Sequence, residues 1–139
     1  MIFLAKPFVK WAGGKYKLSD TIIEESKKEI NFCSYDTYVE PFVGGGGMFF
    51  LMLSQFDFKK KIISDINAEL INVYKQIKSN LELLVKELDS IEKEFNSYTK
   101  DELKKEYYYL IRNEYNETIS NKNHNIRQAA LFIALNKLG

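Results

Sequence analysis

Val39-Glu40-Pro41-Phe42-Val43-Gly44-Gly45-Gly46-Gly47 is the stretch that decides the fold. Thr37-Tyr38-Val39 is β-branched and aromatic, which favours a short strand running into Glu40-Pro41. Four glycines follow, and Met48–Leu53 then reads as the start of a helix. Glycine between a strand and a helix permits positive φ and a close approach of the backbone to a ligand. The N–H groups at such a helix start favour an electron-rich or anionic group. Downstream, Lys61-Ile62-Ile63-Ser64-Asp65 reads as a second strand. Asn67 then caps a helix with Leu70, Val73, Tyr74 and Ile77 on one face. Strand, glycine turn, helix, strand and helix make a βαβ pattern, which implies a parallel sheet.

Upstream, Met1–Trp11 reads as an extended arm entering a turn at Gly13-Gly14. Residues 17–30 read as a helix with Leu18, Ile22 and Ile30 roughly on one side. Six of the seven glycines and both prolines, Pro7 and Pro41, lie in the first third, and no Gly or Pro occurs from 66 to 138. That shift divides a loop-bearing α/β region from a helical one. Three helical stretches are expected beyond the βαβ pattern. The first carries Leu81, Leu84, Leu88, Ile91 and Phe95, and the second Leu103, Tyr107, Leu110 or Ile111, and Tyr115. The third runs from about Ile126 to Leu138. Stripes of this kind are packing faces.

The chain has 139 residues, 45% of them hydrophobic, enough apolar material for a core. Lys plus Arg (20) nearly balance Asp plus Glu (19), so any basic footprint for nucleic acid must be local. A single cysteine, Cys33, excludes an internal disulfide and a cysteine-based zinc site, and it is expected to be buried or half-buried. The sequence has no charged-then-apolar leader and no apolar run that could span a bilayer, so a cytoplasmic protein is expected.

Two familiar nucleotide-binding patterns fail on spacing. The dinucleotide pattern G-x-G-x-x-G would need glycine or alanine where Phe49 or Phe50 stands. The phosphate loop G-x-x-x-x-G-K-[ST] would begin at Val9 and end at Tyr16. Asp65, at the end of the second strand, can accept hydrogen bonds from both hydroxyls of a ribose, or can cap the next helix. Trp11 stands between Lys10 and Lys15 beside Gly13-Gly14. Its face can stack or meet a cation, and the lysines can meet a carboxylate or DNA phosphates. Anchoring of the arm by Trp11, with solvated lysines, is the plainer alternative. His124, in an Asn/Lys-rich loop, is a weak candidate for a base.

Together, K-W-A-G-G-K at 10–15, E-P-F-V-G-G-G at 40–46 and S-D-I-N at 64–67 resemble the Dam-like adenine-N6 DNA methyltransferases. Looser similarity extends through Tyr107–Asn116 and Ala129–Lys137. The resemblance implies a Rossmann-like, S-adenosylmethionine-dependent methyltransferase sheet, present in part, with a helical target-recognition region. It places a cofactor-binding α/β part at 1–79 and an incomplete recognition region at 80–139. It implies that Trp11, Lys15, Glu40, Phe42, Gly44, Gly46 and Asp65 contact S-adenosylmethionine. Lys10 and Arg112 would touch double-stranded DNA, and Lys122 is a further possible phosphate contact. The family transfers its methyl group at a D-P-P-Y tetrapeptide that holds a flipped adenine. With prolines only at 7 and 41, no such tetrapeptide exists in this sequence, so no catalytic residue is assigned. The chain is then expected to be inactive alone, as part of a longer enzyme or as half of a split one completed by a second chain. A non-catalytic module that binds cofactor or DNA, and an unrelated nucleotide binder with a similar turn, remain as alternatives.

Overall fold

The computed structural model describes residues 5–13 and 16–139, the side chain of Tyr16 excepted. The chain divides into two compact units, Met1–Ile66 and Asn67–Gly139. The architecture is mixed α/β, mostly helical, with one small parallel sheet among the described residues.

The first unit contains α1 (Tyr16–Lys27), β1 (Thr37–Pro41), α2 (Gly47–Gln55) and β2 (Lys60–Ser64). The strands pair in parallel, with Thr37 opposite Lys60, Val39 opposite Ile62 and Pro41 opposite Ser64. The ladder runs one step past β1, because the Val43 N–H donates to the Ser64 carbonyl at 2.9 Å. Pro41 has no N–H to give, so a strand-end position suits it. Ile23 of α1, Met52 of α2 and Phe58 form the core, with Phe32, Tyr38, Met48, Leu51 and Phe56 packed against them.

Three expectations need correcting here. The first helix ends at Lys27, not near residue 30. Its buried line is Ser19 and Ile23, while Leu18, Ile22 and Ile30 are exposed. Helical periodicity finds an apolar side but leaves two neighbouring lines of residues to choose between, and packing against α2 chose the Ile23 line. Cys33 is exposed. The short 3-10 turn Phe32–Ser34 turns Phe32 toward the core and leaves the thiol outside. Val39 and Ile62, neighbours in the sheet, are exposed as well.

The second unit contains α3 (Ala68–Ser79), α4 (Leu81–Ser97), α5 (Asp101–Ser120) and α6 (Ile126–Leu138). Asn67 caps α3 as expected, its side chain accepting from the Leu70 N–H at 2.8 Å. Helix α6 packs against α3, α4 and α5. Ala129, Ala130 and Ala134 keep its surface slim, and Leu131 is fully buried. Leu84 and Ile91 of α4, and Tyr107 and Ile111 of α5, are buried as the stripes imply. Leu81, Leu103 and Leu110 are exposed; Leu81 is the first residue of α4, where few neighbours reach it.

A polar chain crosses this core. The Asn80 amide donates to Gln76, Gln76 to Asn72, Asn72 to Gln128, and Gln128 to the Thr118 hydroxyl, at 2.8–3.2 Å. Asn72 also donates to the Asn125 carbonyl at 2.9 Å. Gln128 is fully buried, so every link substitutes for a lost hydrogen bond to water. At the rim, Arg127 donates through its Nε to Glu114 at 2.8 Å and through one terminal nitrogen to Glu87 at 3.1 Å.

The Arg127 hydrogen bond holds the Glu114 carboxyl below its ordinary value of 4.5, against the opposing effect of burial. A depressed carboxylate pKa stabilises the fold above the unfolded-chain value, and this contribution disappears as the pH falls toward the folded value. Stability of the helical unit should therefore decline on acidification below about pH 4.5. Glu114→Gln should flatten that decline, as read by denaturant unfolding across the acid range.

Candidate functional site

The glycine turn is built by alternation. Phe42, Gly44 and Gly46 have φ of 60°, 53° and 81°, all in the left-handed region. Such a conformation costs a residue with a Cβ about 1–2 kcal/mol, which explains glycine at 44 and 46. Phe42 bears that strain and is 74% exposed. Among the described residues, no contact of the exposed ring offsets that cost in an obvious way, and backbone strain of this kind clusters at ligand sites and switch regions. Gly46 caps α2, and its carbonyl accepts from Phe50 at 2.9 Å.

Two other segments meet this turn. Asp65, one residue past β2, accepts from the Gly44 N–H through its Oδ2 at 2.9 Å. Trp11 lies directly over the glycines. A Cβ built on Gly44 would stand 2.9 Å from the indole Cδ1, and one on Gly45 would stand 3.2 Å from the Trp11 Cβ and 3.3 Å from the Val9 carbonyl. The missing side chains of Gly44 and Gly45 thus make room for Trp11. The sequence alone credited that room to a ligand.

The three segments wall a cleft of about 830 Å³, lined by Lys10, Trp11, Glu40, Phe42, Gly44 and Asp65 among others. That volume lies in the range of small-molecule sites, about 300–1,000 Å³. Glu40 is half-buried, and its Oε2 accepts from the Tyr38 hydroxyl at 2.6 Å. Lys17, Pro7, Val9, Val43 and Met48 also line the cleft; none was singled out in the sequence. Lys17 could have been found as a cation at the start of α1, and the apolar ones carry no such signal.

Four further candidates remain. Lys15 lies outside the described residues. Arg112 belongs to the helical unit, where its guanidinium covers the Tyr109 ring at 5.3 Å on the exposed side of α5. Lys122, at φ 53°, occupies the loop before α6. His124 Nε2 stands 3.7 Å from Glu69 in that unit. No group of three or more metal-ligating side chains occurs among the described residues. None of the described helices is long and apolar enough to cross a membrane.

Chemically, the cleft offers two carboxylates for hydroxyls or cations, lysines for an anionic group, and two aromatic faces. Comparison with known proteins supplies a family for this arrangement. The model of the D12 class N6 adenine-specific DNA methyltransferases matches residues 11–139. The chain is 44% identical over 134 residues to the type II methyltransferase M.MjaIII of Methanocaldococcus jannaschii, covering 95% of this chain and 45% of that protein. It is 36% identical over 125 residues to the type II methyltransferase M1.LlaDCHI of Lactococcus lactis subsp. cremoris, covering 90% and 38%. It is 33% identical over 134 residues to the DNA adenine methylase of Escherichia coli (strain K12), covering 96% and 41%. The chain therefore spans less than half the length of these relatives. With the order of its three cleft segments and a family match over nearly all its residues, this chain belongs to the D12 class N6 adenine-specific DNA methyltransferase family.

Proposed function

We propose that this chain is the cofactor-capturing portion of an enzyme that methylates N6 of adenine in double-stranded DNA, and that its cleft binds S-adenosylmethionine. The observation that carries this reading is the convergence of Trp11, Glu40, Phe42, Gly44 and Asp65 on one cleft from three separate segments. The donor set fits the ligand. S-adenosylmethionine has ribose hydroxyls and cationic groups for Asp65 and Glu40, a carboxylate for the lysines, and flat surfaces for Trp11 and Phe42. An ionised carboxylate has about four acceptor sites, so the bond from Gly44 does not exhaust Asp65. Gly46 shapes the turn, and Lys15 joins the set by resemblance. When bound, this cofactor supplies a methyl group activated by its positively charged sulfur.

On this reading β1, α2 and β2 open a Rossmann-like sheet. Residues 1–79 make up the cofactor part, and 80–139 belong to a recognition region. Lys10 and Arg112 would meet DNA phosphates, which position a protein on the duplex without reading its sequence. The tetrapeptide that orients the adenine amine would come from residues other than these 139, in the same polypeptide or a second one.

Calorimetric titration with S-adenosylmethionine tests the reading, and two variants divide the role of Asp65. Asp65→Asn keeps an oxygen for the Gly44 N–H but removes the charge; Asp65→Ala removes both. Loss of a charge-assisted hydrogen bond is worth about 1.5–3 kcal/mol, so Asp65→Asn should weaken binding roughly tenfold or more. Asp65→Ala should weaken it further and lower the unfolding temperature. If the folded wild-type chain gives no heat of binding, the cofactor reading is wrong.

A further inference from the structure

Tyr38 stands outside the cleft but is bonded to one of its walls. It shares a face of β1 with Glu40, two residues on, because strand side chains alternate. Its ring is stacked near Phe49 of α2, with centroids 6.3 Å apart and planes 25° apart. On another side it meets Phe58, which is buried, at 5.3 Å. Two aromatic neighbours, one on α2 and one in the segment before β2, leave this ring few other positions. From that fixed ring the hydroxyl reaches Glu40 at 2.6 Å, a short bond typical of an ionised acceptor. Burial and the adjacent carboxylate push the Tyr38 hydroxyl far above its ordinary range, so it remains a proton donor.

We propose that Tyr38 is a positioning residue: anchored between Phe49 and Phe58, it holds the Glu40 carboxylate in the orientation in which the cleft uses it to bind S-adenosylmethionine. A glutamate has three rotatable side-chain bonds, and fixing them in advance removes an ordering cost from ligand capture. Tyr38 touches no ligand in this scheme and acts only through Glu40. The inference rests on the cofactor reading above.

The test is a double-mutant cycle on the full chain, read by titration with S-adenosylmethionine. Tyr38→Phe keeps the ring and its packing and removes only the hydroxyl. It should weaken binding about five- to tenfold, the effect of one lost hydrogen bond of about 1–1.4 kcal/mol. Glu40→Ala should weaken binding more. The double variant should bind within about twofold of Glu40→Ala, because the hydroxyl has nothing left to hold. Circular dichroism melts of each variant verify that the chain remains folded. Wild-type affinity in Tyr38→Phe, or additive losses in the double variant, overturns the proposal and leaves the cofactor reading intact. A folded wild-type chain that does not bind overturns both.

Discussion

Gly44→Ala is expected to loosen the first unit and to abolish cofactor capture. Two costs coincide at this position. A φ of 53° is unfavourable for alanine by about 1–2 kcal/mol. The new Cβ would also fall 2.9 Å from the Trp11 indole, which must shift. Forcing extra volume into a packed site typically costs about 1–3 kcal/mol. A total of roughly 2–5 kcal/mol places the substitution among the severe ones. Gly13→Ala separates the two causes, since φ is 71° there and, among the described residues other than its chain neighbours, nothing stands within 4 Å of the added carbon. It should cost only the conformational share. Denaturant unfolding gives the stabilities, and titration with S-adenosylmethionine gives the binding. If Gly44→Ala were no worse than Gly13→Ala, the contact between Trp11 and the turn would have no energetic weight.

The second large effect is expected in the helical unit. Gln128→Leu nearly preserves volume, so it creates little cavity. It nonetheless strips an acceptor from the Asn72 amide and a donor from the Thr118 hydroxyl. Each keeps one other bond, Asn72 to the Asn125 carbonyl and Thr118 to the Tyr115 carbonyl, so the main loss is one amide hydrogen of buried Asn72 left without an acceptor, at about 1–3 kcal/mol. The variant should lose about 1–3 kcal/mol in guanidinium unfolding followed by helix signal. Thr118→Val removes one end of the same chain and should lose less. A neutral Gln128→Leu would show that the polar chain is incidental to stability.

The elements that position the site were legible because each has a local cause. β-branched and aromatic residues made β1, glycines the turn, and Asn67 the start of α3, whose side-chain bond to Leu70 is present. Of the cleft residues, Trp11, Gly44 and Asp65 were identifiable by residue type, and Glu40 and Phe42 through the family resemblance. What binds them together was not. The bond between Asp65 and Gly44 spans 21 residues and depends on the register of two strands. The bond from Tyr38 to Glu40 is local, and simple strand alternation could have signalled it. The exposed Leu18 and Ile22 show the converse limit: amphipathic spacing names an apolar side, and only the neighbours decide which line is covered. In the helical unit, Gln128 and Asn72 were invisible as core residues because a search for apolar stripes passes over polar side chains.

The placement of Trp11 has a spectroscopic consequence. It is the only tryptophan in the sequence, and it rests on the backbone of Gly44 and Gly45. Red-edge ultraviolet excitation bypasses the nine tyrosines, so the protein's intrinsic fluorescence originates at a single point beside the cleft. Emission wavelength and quenching then report on hydration and stacking there, which makes the chain its own optical probe of whatever enters.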